Sequence, residues 1–142
     1  MVAGCATGAP RQATHMDDEL YEKGMATRRK VLGEKHVAGR QASDDPYTRQ
    51  HNELVTQAAW GMFWSREDKL PLKTRSLVTI AMLTAINRSD ELRGHINGAL
   101  NNGATPDEIA EVFLHSAVYL GWPAAGTSLR IAVEVFKERG LI

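Results

Sequence analysis

Leu72-Lys73-Thr74-Arg75-Ser76-Leu77-Val78-Thr79-Ile80-Ala81-Met82-Leu83-Thr84-Ala85-Ile86-Asn87 is the most apolar stretch of the chain and decides its fold class. Its apolar side chains fall on nearly every side of a helical wheel. It contains β-branched residues, but it is too long for an ordinary strand and lacks period-two alternation. It reads as the central buried helix of an all-α domain. Helical signals extend outward from it in both directions. Downstream, Ser89-Asp90-Glu91 opens a helix whose acidic start complements the helix dipole, and Asn101-Asn102-Gly103 closes it. Thr105-Pro106-Asp107-Glu108 is a full capping box with proline at the first helical position. That helix runs to Leu120 and stops at Gly121. A last helix spans from near Pro123 to Gly140.

Upstream, Ser65 to Pro71 is a polar loop. Ser43-Asp44-Asp45-Pro46 is a break followed by a helix start, with Asp45 as N-cap and Pro46 at the first position. The helix it opens runs to about Trp64, with Leu54, Ala58 and Met62 on one stripe and Val55, Ala59 and Phe63 beside it. Asp17 to about Gln41 is polar and reads as one exposed helix covering another surface, weakened in its second half by Gly33 and Gly39. The expectation is about six helices with short links, packed as antiparallel neighbours. Met1 to His15 has no helical period and reads as an added or disordered leader, with residues 16–142 as the domain.

Composition narrows the function classes. The chain has 142 residues, room for one domain with a real core. Lys plus Arg and Asp plus Glu number 17 each, so there is no electrostatic case for nucleic acid or for an anionic membrane surface. Near-neutrality favours self-association. The one cysteine, Cys5, lies in the leader and permits no intrachain disulfide, CxxC pair or cysteine zinc site. A reducing compartment, the cytoplasm, is the simplest reading. No apolar run reaches the roughly 20 residues that span a bilayer. HExxH, GxSxG, a glycine-rich phosphate loop and metal-spaced ligands are all missing.

Several residues can carry chemistry. Glu91 and His95 lie at i and i+4, so they share a helix face, and a carboxylate beside an imidazole favours the imidazolium and orients the ring. That is a usable acid–base pair, although such spacing alone more often marks a solvated helix pair. His115 is flanked by Ile109, Val112, Phe113 and Leu120, a pattern that by itself suggests a core histidine. Arg75, Arg88 and Arg93 bracket the region and could each grip a carboxylate. Trp60 and Trp64, also four apart, are core aromatics or pocket walls. His36 and His51, on polar helices, are expected to be exposed.

The chain resembles the γ-carboxymuconolactone decarboxylases from Asp17 to Glu138. The landmarks are Val31-Leu32-Gly33-Glu34-Lys35-His36-Val37, Ala59-Trp60-Gly61 and Trp64-Ser65-Arg66. They continue through Thr74-Arg75-Ser76-Leu77-Val78-Thr79-Ile80-Ala81, Asp90-Glu91-Leu92-Arg93 with His95, and Asn101-Asn102-Gly103-Ala104-Thr105. Last come His115 with Tyr119, Gly121, Pro123, Ala124 and Ala125. The wider superfamily, the alkylhydroperoxidase D-like proteins, includes members with a CxxC followed by a histidine and a glutamate on the preceding helix. Here Arg88 to His95 keeps the histidine without cysteine, and the glutamate position falls near Ser76, which removes thiol peroxidase chemistry.

The resemblance implies an all-helical fold of the alkylhydroperoxidase D-like type, no cofactor, no metal, and a homo-oligomer, a trimer or hexamer, whose pockets can take residues from a neighbouring subunit. It implies decarboxylation of 4-carboxymuconolactone (2-carboxy-5-oxo-2,5-dihydrofuran-2-acetate) to 3-oxoadipate enol-lactone and CO₂, in the protocatechuate branch of the β-ketoadipate pathway. It also places the site: His95 as leading proton donor, Glu91 orienting it or raising its pKa, and His115 as donor to the lactone oxygen. Arg75 or Arg93, or else Arg88, would anchor the acetate carboxylate, with Trp64 and Tyr119 as further substrate contacts. The alternative is a related helical oligomer of the same superfamily with another acid substrate or a binding role.

Overall fold

The computed structural model describes residues 18–42 and 45–142. The proposed leader with Cys5 and the Ser43-Asp44 part of the break lie outside the described residues. The described chain is helical throughout: α1 (Asp18–Leu32), α2 (Glu34–Gln41), α3 (Pro46–Val55) continuing as a π-helical segment (Thr56–Trp64), α4 (Leu72–Ala85), α5 (Ser89–Asn101), α6 (Pro106–Leu120) and α7 (Trp122–Glu138).

Most boundaries lie where the caps predict. The Asp45 carboxylate accepts from the Tyr47 and Thr48 amides. Thr105 and Glu108 close the reciprocal capping box. Gly103 and Gly121 take the positive φ angles, 87° and 90°, that end α5 and α6.

Three expectations need correction. Asp17 to Gln41 is not one helix, because Gly33 at φ 87° separates α1 from α2. The described residues thus form seven helices, close to the expected six or so. Nor is this region merely a cover: α1 buries Gly24, Met25, Thr27, Arg28 and Val31 and packs chiefly against the π-helical segment. The contact is backbone to backbone. A Cβ on Gly24 would lie 2.1 Å from the Thr56 carbonyl oxygen, and one on Gly61 would lie 2.3 Å from that of Leu20. Finally, α4 is not buried all round. Leu72, Ser76, Ile80 and Thr84 form its inner stripe, while Val78, Met82 and Ile86 stay exposed in the single chain.

The main core joins α4 to α7 through Ile80, Leu92, Ile96, Ile109, Phe113 and Phe136. Polar groups inside it are paired, as burial requires. Thr84 and Ser128 share a hydroxyl–hydroxyl bond of 2.9 Å, and Asn102 Nδ2 donates to Ser76 Oγ at 2.9 Å. A second cluster, Val31, Trp60, Trp64 and Leu72, seats the π-helical segment on α1 and α4. The site stands at its edge.

Candidate active site

Trp60 and Trp64 lie within the π-helical segment, a form that recurs at functional sites. Their rings stack with centroids 4.7 Å apart. From α5, the His95 imidazole lies nearly parallel to the Trp60 ring at 6.1 Å and stacks on Trp64 at 5.7 Å. From α4, the Arg75 guanidinium stands 6.0 Å from the Trp64 ring. Three elements thus bring together an imidazole, two indoles and a cation.

His95 is half-buried, and its Nδ1 is sealed without a hydrogen-bond partner. Burial pushes its pKa down to about 4, His36 pushes the same way, and Glu91 opposes them weakly. The imidazole is therefore neutral at pH 7. The expected favouring of the imidazolium by Glu91 is outweighed. Nor does Glu91 orient the ring by a hydrogen bond. Its carboxylate is turned to Arg88, accepting from Nε at 3.1 Å and from Nη2, which holds its pKa below the usual range.

The other arginines divide. Arg93 is taken up by α7, where it ion-pairs with Glu134 at 3.0 Å and with Glu138. Arg88 is committed to Glu91. Arg75 donates from Nη2 to the carbonyls of Arg66 at 3.1 Å and Leu70 at 3.4 Å, while its Nε is buried without a partner. His115 is exposed rather than core, with its ring edge-on to Tyr119 at 5.3 Å. Ile109 and Phe113 face the interior and His115 faces out. Among the described residues, no ring contact, hydrogen bond or ion pair joins His115 to the His95 group.

Two residues were missed as site candidates. His36, exposed as expected, nevertheless lies against the turn before His95. A Cβ on Gly94 would sit 3.3 Å from its Cε1. Burial and the charges of Arg40 and Arg28 lower its pKa. It lines an open cleft of about 780 Å³ with Lys35, Arg40, Asn97, Asn101 and Arg139. Arg28 is the second, buried in α1 with only 6% of its surface exposed. A signal existed for it: Arg28 is three residues from both Met25 and Val31, so a charge occupies a place on an apolar helical stripe.

The residues 49–134 match the family model described as "Carboxymuconolactone decarboxylase family". A 4-carboxymuconolactone decarboxylase of Acinetobacter baylyi is 43% identical over 125 residues, covering 88% of this chain and 92% of that one. The chain belongs to the carboxymuconolactone decarboxylase family. A second relative, the nitrosuccinic acid decarboxylase of Metarhizium robertsii, is 41% identical over 119 residues, covering 84% of this chain and 82% of its own. Both family relatives are thus matched across the stretch that carries the Trp60, Trp64, Arg75 and His95 group. Among the described residues, no cluster of three or more His, Cys, Asp or Glu side chains is disposed to hold a metal ion. No helix among them is long and apolar enough to cross a membrane.

Proposed function

We propose that this chain decarboxylates 4-carboxymuconolactone to 3-oxoadipate enol-lactone and CO₂. The observation that carries the reading is a titratable imidazole with an unpartnered nitrogen, sealed against two indoles beside an arginine, in a chain so similar to a decarboxylase of that lactone. Loss of the ring carboxylate leaves an electron pair that delocalises through the C=C into the lactone carbonyl. The substrate carries its own electron sink. The protein must favour CO₂ departure, stabilise the dienolate oxygen and protonate the carbon α to the carbonyl.

The indole pair suits the departing carboxylate, since an apolar wall disfavours the anion relative to neutral CO₂. His95 is the proton donor. It is neutral in the free protein, and a dianion beside it raises its pKa, so substrate binding is accompanied by uptake of one proton from solvent onto the imidazole, which then passes to the dienolate carbon. Arg75 has spent Nη2 on two carbonyls and lacks a free fork for a carboxylate; it serves the developing dienolate oxygen. His115, facing outward with Tyr119, serves that oxygen from a neighbouring subunit. The chain acts as a homo-oligomer through the apolar outer face of α6 and the start of α7, where Val118, Tyr119 and Trp122 are 72%, 75% and 70% exposed. Glu91, paired with Arg88, adds a modest field favouring the charged imidazole.

The second relative favours a broader substrate reading. Carboxymuconolactone and nitrosuccinic acid both contain a succinate skeleton in which the carbon losing CO₂ adjoins an electron acceptor, a vinylogous lactone or a nitro group. Each should be offered to the purified protein, with CO₂ release and product formed as readouts. Acceleration with the lactone is expected. With neither substrate accelerated, the decarboxylase reading fails; with nitrosuccinate alone, the substrate assignment changes. His95→Ala, still folded, should lower kcat by roughly 10²-fold or more. Unchanged turnover would remove His95 from the chemistry.

A further inference from the structure

The cavity beside Arg28 has no role in the chemistry described so far. Arg28 is among the most buried charges of the described chain, 6% exposed, yet no ion pair joins it to a carboxylate among the described residues. Its Nη1 donates to Thr56 Oγ1 at 3.0 Å, and its Nε is sealed without a partner. Burial lowers its pKa, and the nearby charge of Arg40 lowers it further. An unpaired guanidinium withdrawn from water is costly to fold and asks for an anion. Beside it is a cavity of about 180 Å³, lined also by Arg49, Gln41, Asn52, Tyr21 and Glu53. That space holds about six waters, enough for a carboxylate-bearing arm. Among the described residues, Glu53 is the acidic group on the wall and is not paired with Arg28; Arg28, Arg49 and the adjacent Arg40 outnumber it.

The wall of the cavity and the site share the π-helical segment. Thr56, which holds Arg28, is the first residue of the π-helical segment that carries Trp60 and Trp64. Arg40 lies close enough to act on Arg28, His36 and Glu91 alike, and His36 acts on His95. One positive field therefore runs from Arg28 to the α5 turn bearing His95.

We infer that Arg28 is a carboxylate-binding residue, assisted by Arg40, that holds the acetate arm retained by the substrate. The inference rests on the decarboxylase reading for the identity of the arm, but not for the existence of the anion subsite. Nη1 is committed to Thr56 while Nε has no partner, so the Nε edge of the guanidinium is unspent, and a carboxylate that opens the packing over it would be held in the side-on geometry arginine favours. The arm is common to both succinate-type acids. Recognition of it is kept apart from the departing carboxylate, which a cation should not grip.

The test compares Arg28→Met and Arg28→Lys with wild type by thermal melting, with succinate, acetate or inorganic phosphate as the added anion, and by steady-state kinetics on carboxymuconolactone. Arg28→Met removes the charge and keeps the length. It is expected to melt at or above the wild-type temperature without anion, because the unpaired charge is gone. Succinate should raise the wild-type melting temperature and leave Arg28→Met unmoved. Arg28→Lys keeps a charge without the fork, and its succinate shift should be reduced. KM should rise about tenfold or more in Arg28→Met with kcat changed much less. Arg28→Met melting well below wild type, with Arg28→Lys retaining the full succinate shift and KM, would make Arg28 a structural brace and overturn the inference. A shift with phosphate and none with succinate or acetate would overturn the carboxylate assignment. Wild type without decarboxylase activity but with an Arg28-dependent succinate shift would remove the reaction and leave the subsite standing.

Discussion

At the scale of single residues, His95 shows how place overrides sequence neighbours. Its helical neighbour Glu91 would charge it, but the indoles of Trp60 and Trp64 withdraw it from water and win. This has a consequence for stability. The folded pKa is about 4, against about 6.5 in the unfolded chain. Above pH 6.5 both states are neutral and the difference costs nothing. As pH falls from 6.5 towards 4, the unfolded chain takes up a proton that the folded one refuses, so stability falls; below 4 both are charged and the loss is complete. The shift corresponds to about 3 kcal/mol at its full extent. His95→Phe keeps an aromatic ring in the stack and cannot titrate. Urea midpoints at pH 7 and pH 4.5 should therefore fall further for wild type than for His95→Phe. Parallel falls would mean that His95 is not the group being titrated.

At the scale of elements, the paired glycines of α1 and the π-helical segment decide how the site is carried. Gly24 faces the Thr56 carbonyl at 2.1 Å from where its Cβ would be, and neither backbone can yield without moving the helix that bears both tryptophans. Gly24→Ala should cost about 3 kcal/mol or prevent folding, although alanine is the better helix former. Gly39, in α2, has nothing within 4 Å of its Cβ position. Gly39→Ala should stabilise by about 0.5–1 kcal/mol. Chemical denaturation of the two variants checks both signs. The contrast shows which features were legible in the sequence. Helix ends announced by local chemistry were readable: Asp45-Pro46, the Thr105–Glu108 box, Gly103 and Gly121 all act within a few residues. Gly33 and Gly39 looked alike as weak points, but only Gly33 takes a positive φ and breaks the helix. The π-helical segment carried no comparable mark, because its close seat on α1 is a tertiary fact. The site was legible as separate nominees. Trp64, Arg75 and His95 come from three elements, and only the fold puts them on one stack. Arg28 was visible in principle, as a charge on an apolar stripe.

At the scale of the whole molecule, apolar surface is distributed in a way one chain does not explain. The stretch Leu72 to Asn87 is apolar nearly all round, yet its Val78, Met82 and Ile86 face outward. On α6 and at the start of α7, Leu114, Val118, Tyr119 and Trp122 do the same. Covering large apolar side chains of this kind contributes roughly 1.5–3 kcal/mol each when complete. With no net charge to keep copies apart, a second copy is the cover the proposed homo-oligomer would supply. His115, edge-on to Tyr119, lies on the same outer face of α6, so the proposed assembly would carry it into a neighbour's site and tie assembly to activity. Light scattering on a sizing column should find wild type larger than a monomer. Val118→Glu places a charge on that face without touching the core, so circular dichroism should stay helical while the mass falls towards one chain. If His115 works across the interface, kcat should fall with the mass, and His115→Gln should lower kcat without changing the mass. A wild-type monomer with full activity would separate the two and leave His115 without a role in the reaction.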